Sequence, residues 1–403
     1  MKKSLLLSAG LILLTAIEIL RVYFIMPFPG SQHQNSIRIA YFLNAYIVWF
    51  RIIGLILFLP AFLSIFKKAN IWKRLLILIP VILYAFIFYS FNFRFLADKM
   101  FYQPRTRTMV GVGMNKVDTN QLIIGIAGHR EAKAYPIQII GYHHQVKDSL
   151  EGLPVLVTYC TVCRTGRVYS PFINNKYQTF RLVGMDHFNA MFEDQDSKTW
   201  WRQVNGEAIA GPLKGMKLEE LPSAQMRLGA WIREYPNTLI LQPDTIFSKQ
   251  YEDLKGFDSG TIKSSLEKRD TASWKFKSWV IGVSYHGQSK AYDWNELVAK
   301  KILNDSLESL PILLVVENDS MTFHLFDRGW QGQSLHFSWN TQAKILRDDQ
   351  TKSEWSLTGH CINGQLQGAA LKPVQSYQEF WHSWKSFHPL TTQYNFQRNA
   401  SSP

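Results

Sequence analysis

Residues 5–26 read LLLSAGLILLTAIEILRVYFIM, a run that is apolar almost throughout. Two further apolar runs follow, from Ile39 to Phe66 and from Leu75 to Phe91. A helix needs about 20 apolar residues to cross a hydrocarbon core that is about 30 Å thick. The three runs therefore predict three transmembrane helices, at about residues 4–26, 39–66 and 74–92, which together form an anchor over residues 1–92 of the 403-residue chain.

The basic residues beside these runs predict the orientation of the helices. They cluster before the first run and between the second and third: Lys2, Lys3, Lys67, Lys68, Lys73 and Arg74. Residues 27–38 contain a single Arg. Because basic loops stay on the cytoplasmic side, we expect a multi-pass protein of the cell inner membrane, with a cytoplasmic N-terminus and a periplasmic C-terminal domain. A cleaved signal peptide is the weaker interpretation, since no small-x-small cleavage site precedes Pro27.

Two charged residues within the predicted spans suggest an ion pair. Glu18 lies in the first run and Arg51 in the second. An isolated charge inside the bilayer costs at least about 2.5 kcal/mol on insertion scales. Since the first helix runs outward and the second inward, both residues reach a similar depth in the outer half. We therefore predict that they pair, with snorkelling to the headgroups as the alternative.

The formal net charge of +13 does not indicate a nucleic-acid-binding protein. Such proteins cluster Lys and Arg on one face or along one helix, whereas part of the excess here lies in the loops beside the helices and the remainder is scattered. The predicted partner is the lipid bilayer, and nucleic acid is not a predicted partner. The sequence points to no nucleotide cofactor and leaves other protein partners unknown.

The chain after the anchor repeats a pattern. DSLEGLP at residues 148–154 recurs as DSLESLP at 305–311, and KAY at 133–135 recurs at 290–292, a spacing of 157 residues. Two internal repeats are predicted, over residues 120–242 and 277–395. A connector at 93–119 precedes them, a polar connector at 243–276 separates them, and a tail at 396–403 follows.

The two repeats predict the same order of elements. Each has a first strand, a helix, a buried strand that enters a hairpin, and a late helix begun by a serine N-cap. The first repeat places these elements at 122–127, 136–146, 154–159 and 223–235, and the second at 279–284, 293–303, 311–316 and 376–388. The predicted fold class is α+β, with mixed or antiparallel sheets.

One constellation in the first repeat could carry chemistry. Cys160-Thr161-Val162-Cys163 stands where the second repeat has the turn sequence Glu317-Asn318-Asp319-Ser320. A thioredoxin-like Cys-x-x-Cys would open a helix, but the comparison predicts a hairpin turn. Two thiolates at such a turn can share one metal ion. The alternatives are a thiol/disulfide redox pair, in which Arg164 stabilises a thiolate, and a structural disulfide within a cell-envelope binding module.

A metal ion would need further ligands. His143 and His144 end the predicted helix, at positions where the second repeat has lysines, and His187 follows Met185 in a segment whose counterpart has neither His nor Cys. The predicted ligands are Cys160, Cys163 and His143, completed by His187 or Met185. These soft donors favour copper or zinc. Whether the protein is an enzyme stays open, because no reaction follows from these residues.

The string Thr158-Tyr159-Cys160-Thr161-Val162-Cys163, with His143 upstream and the segment Trp201 to Gly211 downstream, resembles the domain of unknown function 3179. The resemblance covers roughly residues 118–241 and extends only weakly into the second repeat. It implies that His143, and not His144, is the site histidine. It implies no reaction, because that family has no established activity.

Overall fold

The computed structural model describes residues 2–33 and 35–396 of the chain. The chain divides into two compact units. The first unit comprises Met1–Tyr102 and Phe172–Leu218, and the second comprises Gln103–Pro171 and Glu219–Pro403. Part of the first predicted repeat, residues 172–218, thus belongs to the same unit as the predicted anchor.

The helices of the described residues are α1 (Lys2–Tyr23), α2 (Ile37–Ala45), α3 (Ile47–Lys68), α4 (Ile71–Phe93), α5 (Ala97–Met100), α6 (Ile137–His143), α7 (Leu228–Glu234), α8 (Ser248–Asp253), α9 (Trp294–Lys300) and α10 (Trp381–Phe387).

The strands of the first 241 residues are β1 (Met109–Gly111), β2 (Leu122–Ala127), β3 (Ala132–Pro136), β4 (Gln145–Leu150), β5 (Leu153–Cys160), β6 (Thr165–Tyr169), β7 (Phe172–Ile173), β8 (Lys176–Tyr177), β9 (Phe180–Asp186), β10 (Asn189–Asp194), β11 (Trp200–Arg202), β12 (Ala208–Ala210), β13 (Ala224–Arg227) and β14 (Leu239–Leu241). Those that follow are β15 (Trp279–Tyr285), β16 (Gln288–Asp293), β17 (Ile302–Leu307), β18 (Leu310–Val316), β19 (Phe323–Asp327), β20 (Gly329–Trp330), β21 (Gln333–Ser334), β22 (Phe337–Asn340), β23 (Ile345–Asp348), β24 (Glu354–Trp355), β25 (Cys361–Asn363), β26 (Lys372–Pro373), β27 (Ser376–Phe380) and β28 (Thr392–Gln393).

Three helices of the described residues, α1, α3 and α4, are long and apolar enough to cross a membrane. They match the three predicted spans, except that the second apolar run is broken at Tyr46 into α2 and α3. The turn between α3 and α4 ends at Asn70, whose side chain accepts a hydrogen bond from the Lys73 amide and so caps α4. The orientation of the spans stays a prediction.

The predicted pairing of Glu18 with Arg51 is confirmed. Arg51 donates from Nε to Glu18 Oε1 at 2.6 Å and from Nη2 to Oε2 at 2.9 Å. Asn92 donates to Glu18 Oε2 at 2.9 Å, and Arg21 Nε lies 3.4 Å from the same oxygen. The Glu18 side chain is fully buried. One carboxylate therefore receives hydrogen bonds from α1, α3 and α4, which ties the three helices together in an apolar surrounding.

The first unit also contains an antiparallel sheet in the order β12-β11-β10-β9. Two neighbouring tryptophans of β11, Trp200 and Trp201, are both buried and point to opposite faces of this sheet. Asp194 at the end of β10 accepts hydrogen bonds from the Trp201 indole at 2.9 Å and from the Ser197 hydroxyl at 2.6 Å. The carboxylate thus closes the turn between β10 and β11.

The second unit is built from several small sheets. The larger ones have the orders β1-β14-β3-β2-β13, β27-β15-β16-β28, β4-β5-β6, β17-β18-β19-β26 and β22-β23-β24-β25. Most neighbours are antiparallel, while β14 with β3 and β16 with β28 are parallel. A core of buried aromatic and aliphatic side chains includes Trp279, Tyr292 and Phe380. The predicted α+β class with mixed sheets is confirmed.

Several contacts recur at the spacing found in the sequence. Tyr135 donates to Asp148 at 2.8 Å, and Tyr292 donates to Asp305 at the same distance. Indole-to-hydroxyl bonds of 2.8 Å also recur, from Trp231 to Thr238 and from Trp384 to Thr391, at the slightly shorter spacing of 153 residues. Such matched contacts are what a duplication would leave, and the duplication and its boundaries stay predictions.

The helices predicted at 136–146 and 293–303 are too long. Helix α6 ends at His143 and α9 ends at Lys300, and strands β4 and β17 follow almost at once. His144 and Lys301 have φ values of 61° and 69°, which turn the chain out of each helix. Neither is the glycine or asparagine that usually marks this position, so the sequence carried no stop signal. Helix α9 is capped by Asp293, whose side chain accepts a hydrogen bond from the Glu296 amide at 3.1 Å.

The prediction that Ser223 and Ser376 begin helices is wrong. The segments that follow them are first strands, β13 and β27, and become helical only at Leu228 and Trp381. Strand β13 pairs with β2, and β27 pairs with β15. Ladder hydrogen bonds to partners more than 90 residues away in sequence satisfy the backbone there, which local capping rules do not anticipate.

The buried cluster in the anchor predicts coupled effects of substitution. Arg51→Gln should destabilise the full chain in detergent, because it leaves the buried Glu18 short of a cation. Glu18→Gln added to that variant should cost less than Glu18→Gln alone, with a coupling of about 0.5–3 kcal/mol in a double-mutant cycle. Thermal unfolding of the wild type, both single variants and the double variant measures this. Additive losses would contradict the pairing.

Candidate thiol site

The Cys-x-x-Cys segment forms the turn of a β-hairpin, as predicted. Strands β5 and β6 pair so that Cys160 lies opposite Thr165. Arg164 has a φ of 57°, and its amide donates to the Thr161 carbonyl at 3.2 Å. This left-handed residue reverses the chain within four residues. Cys160 is consequently the last residue of β5, and Cys163 lies within the turn itself.

The two cysteines are free thiols in contact with each other. Cys160 and Cys163 are both fully buried, and neither is in a disulfide. A hydrogen bond joins their side chains. Burial, together with this hydrogen bond and the proximity of Cys160, raises the pKa of Cys163 well above its ordinary value. Cys163 is therefore a protonated thiol at neutral pH in this conformation.

A lysine ammonium faces the thiol pair. Lys277 is 8% exposed, and its Nζ donates to the carbonyl of Val162 inside the turn. Within the described ranges Lys277 has no carboxylate at ion-pair distance, and Glu267 and Asp270 act on it only from farther away. Its charge lowers the pKa of Cys163, opposing the effect of burial. A buried cation without a close anion favours a negative charge on the neighbouring sulfur.

Helix α10 contributes two polar side chains to the site. Ser383 is fully buried, hydrogen-bonds the side chain of Cys163, and donates from Oγ to Glu379 Oε2 at 3.0 Å. His382 stacks on Phe276, with its Nε2 atom 3.2 Å from Lys277 Nζ. Burial lowers the pKa of His382 to about 3, so the ring is neutral. The same Nε2 atom lies 3.2 Å from the Val162 carbonyl, so it either accepts from Lys277 or donates to Val162, depending on the tautomer.

A family model described as "Protein of unknown function (DUF3179)" matches residues 103–391. The chain belongs to this family. The match extends beyond residues 118–241, where the sequence resemblance was strongest, and includes both the polar connector and the second predicted repeat. Neither a curated protein nor a solved structure matches the chain. The chemistry of this DUF3179 protein is therefore argued from its own geometry.

In the DUF3179 region, the sequence suggested Arg164 as the cation beside the thiols, but the structure places Lys277 there. The Arg164 guanidinium lies 3.8 Å from the centre of the Trp279 ring and donates from Nε to Gln378 Oε1 at 3.0 Å. Arg269 also lies over the Trp279 ring, at 4.1 Å. Arg164 thus stabilises the packing around Trp279, while Lys277 supplies the charge that faces Cys163.

The two adjacent histidines of the DUF3179 region are buried at the end of α6. His143 Nε2 lies 2.7 Å from the Tyr251 hydroxyl, and the ring packs against Phe247. His144 donates from Nδ1 to the Tyr142 carbonyl at 3.1 Å, and burial lowers the pKa of His144 to about 4. Its carbonyl also accepts from the Tyr159 amide at 3.0 Å, which links the end of α6 to β5.

Met185 and His187 belong to the first unit, whereas the cysteines belong to the second. Met185 is buried, and its amide donates to the Ile25 carbonyl at 2.7 Å. His187 Nδ1 lies 2.6 Å from Asp186 Oδ1, and this hydrogen bond raises the pKa of His187. Over residues 2–33 and 35–396, no group of three or more His, Cys, Asp or Glu side chains is arranged to hold a metal ion. The predicted metal site stays a prediction.

The sequence did not single out Lys277, His382, Ser383 or Glu379. Lys277 is the first residue of the second predicted repeat, directly after a connector rich in lysine, and no spacing distinguishes it from the neighbouring lysines. His382, Ser383 and Glu379 lie at 376–388 in the second predicted repeat, a segment that the sequence predicted only as a helix begun by a serine N-cap. The spacing of Ser383 and Glu379 did carry a signal, because side chains four residues apart can lie next to each other where the chain is helical. Only the pairing of β27 with β15 brings that pair to the turn.

The raised pKa of Cys163 predicts an unusual titration. An ordinary thiol has a pKa of about 8.5. The S–H infrared band of the native full chain should persist above that pH, because burial disfavours the thiolate. Lys277→Met should move the loss of the S–H band to still higher pH, by roughly one unit or more, and Lys277→Arg should move it less. The Cys160→Ser, Cys163→Ser double variant provides the baseline, and Cys361→Ser removes the third thiol. Loss of the band at or below pH 8.5 would contradict the assignment.

Proposed function

We propose that this DUF3179 protein is a membrane-anchored dithiol protein whose Cys160–Cys163 pair cycles between two thiols and a disulfide. The observation that carries the proposal is a hydrogen-bonded pair of free thiols facing a buried ammonium that has no carboxylate at ion-pair distance within the described ranges. Two sulfurs already in contact need little movement to bond, since disulfide geometry demands close β-carbons.

The ammonium distinguishes a reactive pair from an inert one. Burying a charge without a partner costs several kcal/mol, and a static disulfide would gain nothing from Lys277. A thiolate does gain, because the ammonium offsets its charge in a surrounding that water does not reach. Lys277 and Ser383 both lower the pKa of Cys163, in opposition to burial and Cys160, and we assign the attacking thiolate to this sulfur.

The reaction partner is a disulfide of the oxidising compartment in which the domain is expected to lie. The Cys163 thiolate attacks one partner sulfur, the partner S–S bond breaks, and the first partner thiol leaves with a proton. Cys160 then attacks Cys163 in the mixed disulfide and releases the second partner thiol. Two electrons and two protons pass from the cysteines to the partner. Because both sulfurs are buried, the hairpin turn must open for the attack.

A metal site is the principal rival of this proposal. Zinc takes four ligands in structural sites and three protein ligands in catalytic sites, and the described part of the chain provides no group of three suitable side chains. The Nε2 atom of His143, a ligand predicted from the sequence, is hydrogen-bonded to the Tyr251 hydroxyl. The dithiol reaction uses only the contacts that surround Cys160 and Cys163, and it therefore requires fewer further rearrangements.

A redox titration of the purified full chain in detergent tests the proposal. Thiol labelling across a series of dithiol/disulfide buffers should show one two-electron transition that disappears in Cys160→Ser and in Cys163→Ser. Cys361→Ser is the matched control and should keep the transition, since Cys361 lies in a different core cluster. The midpoint should lie above about −300 mV, because static structural disulfides are typically found below that potential.

Two outcomes would overturn the dithiol function. A midpoint well below about −300 mV would identify a structural disulfide. Copper or zinc that co-purifies in a one-to-one ratio and is lost in Cys163→Ser would instead establish the metal site predicted from the sequence. Elemental analysis of the same preparations measures the second outcome.

A further inference from the structure

Oxidation of the thiol pair requires a place for the proton of Cys163, and the surroundings limit the choice. Both sulfurs are fully buried. Burial lowers the pKa of Lys277, while the two sulfurs, Glu267 and Asp270 raise it, and its Nζ donates to the Val162 carbonyl as an ammonium does. His382, with a pKa of about 3, is a weak acceptor at neutral pH. A proton acceptor has to be sought one hydrogen bond farther away.

We propose that Glu379 accepts the proton of Cys163 through the hydroxyl of Ser383, a role that rests on the proposed dithiol function. Ser383 hydrogen-bonds Cys163 on one side and donates to Glu379 Oε2 at 3.0 Å on the other. As Cys163 gives its proton to Ser383 Oγ, the Ser383 hydroxyl proton passes to Glu379. The products are a thiolate beside Lys277 and a neutral Glu379 carboxyl.

The other side of Glu379 makes this transfer possible. Arg167 donates from Nη2 to Glu379 Oε1, so the two carboxylate oxygens have different partners. The pKa of Glu379 is raised, with burial as the largest cause, while Arg167 and Ser383 act in the opposite direction. Burial thus makes this carboxylate a better proton acceptor than an exposed glutamate. The neighbouring tyrosines that respond to its charge are Tyr159, Tyr169 and Tyr377.

The network continues from Glu379 to the protein surface. Arg167 Nε lies 3.6 Å from Glu220 Oε1, whose side chain is 27% exposed. The Arg167 guanidinium lies 3.4 Å from the centre of the Tyr377 ring, and the Tyr377 hydroxyl donates to Glu220 at 2.8 Å. When Glu379 becomes neutral, Arg167 still has the Glu220 carboxylate nearby, and this second carboxylate lowers the free-energy cost of protonating Glu379.

A small polar cavity adjoins this network. Its volume is about 10 Å³, and it is lined by Arg167, Gln225, Gln375, Tyr377 and Gln378, among others. The Gln378 Nε2 atom is buried there without a hydrogen-bond partner among the described residues. A polar cavity of this size with an unsatisfied donor suits a single water molecule. Such a water would lie beside Arg167 and Tyr377, the two side chains that connect Glu379 with Glu220.

The relay is tested by the rate at which the full chain in detergent reacts with excess 2,2′-dithiodipyridine. The thiolate that leaves this disulfide needs no proton from the protein, and every variant must open the same turn, so differences in rate between variants report deprotonation of Cys163. Ser383→Ala should slow formation of the Cys160–Cys163 disulfide by about tenfold or more, within the range of positioned acid–base groups. Ser383→Thr restores the hydroxyl and should recover most of the rate.

Two further measurements separate proton transfer from a packing effect. The wild type should react more slowly in heavy water, and Ser383→Ala should lose most of that isotope effect. Glu379→Gln should also slow the reaction, whereas Glu354→Gln, at a carboxylate that lies outside this network and contacts Asn363, should react at nearly the wild-type rate. Thermal unfolding of each variant establishes that it is folded.

The possible failures are distinguishable. A Ser383→Ala variant that reacts as fast as the wild type, with an unchanged isotope effect, overturns the relay and leaves the dithiol function standing. A wild-type protein that reacts with the reagent but never forms the Cys160–Cys163 disulfide overturns both proposals.

Discussion

The hydrogen bond from the Lys277 ammonium to the Val162 carbonyl fixes the arrangement of the thiol site. A buried ammonium is stable only when its donors are used, so this contact holds the segment before β15 against the hairpin turn. The Phe380 amide adds a second link by donating to the Cys163 carbonyl at 3.1 Å. Elements from the far end of the chain therefore cover a turn that would otherwise be exposed at the tip of a hairpin.

The charges around the turn are of two kinds. Arg167 and Glu379 form a buried ion pair in which each charge is compensated. Lys277 has the Val162 carbonyl as hydrogen-bond acceptor but, within the described ranges, no carboxylate at ion-pair distance. A negative charge that forms on sulfur is thus met by a cation already in place, and fixed charges of this kind stabilise without reorganisation. The same site holds neutral thiols and can accommodate an anion.

The anchor applies the same electrostatic rule in another setting. Glu18 is fully buried and is compensated by Arg51, with further hydrogen bonds from Asn92 and Arg21. Each unit of the chain therefore contains a buried carboxylate with an arginine bound to it. In the anchor the partners come from three helices and serve cohesion, whereas in the second unit Glu379 also touches a residue that contacts a thiol.

Local sequence determined the features that depend on neighbours along the chain. The three spans, the pairing depth of Glu18 and Arg51, the strands before each hairpin and the turn at Cys160 to Arg164 follow from hydrophobic periodicity and turn chemistry, which act over a few residues. The tertiary structure decided that β13 and β27 are strands and that Lys277, Ser383 and Glu379 surround the cysteines. Those outcomes depend on strand pairing and burial between segments more than 90 residues apart. No local pattern encodes the energy of such contacts, because they exist only once the chain has folded.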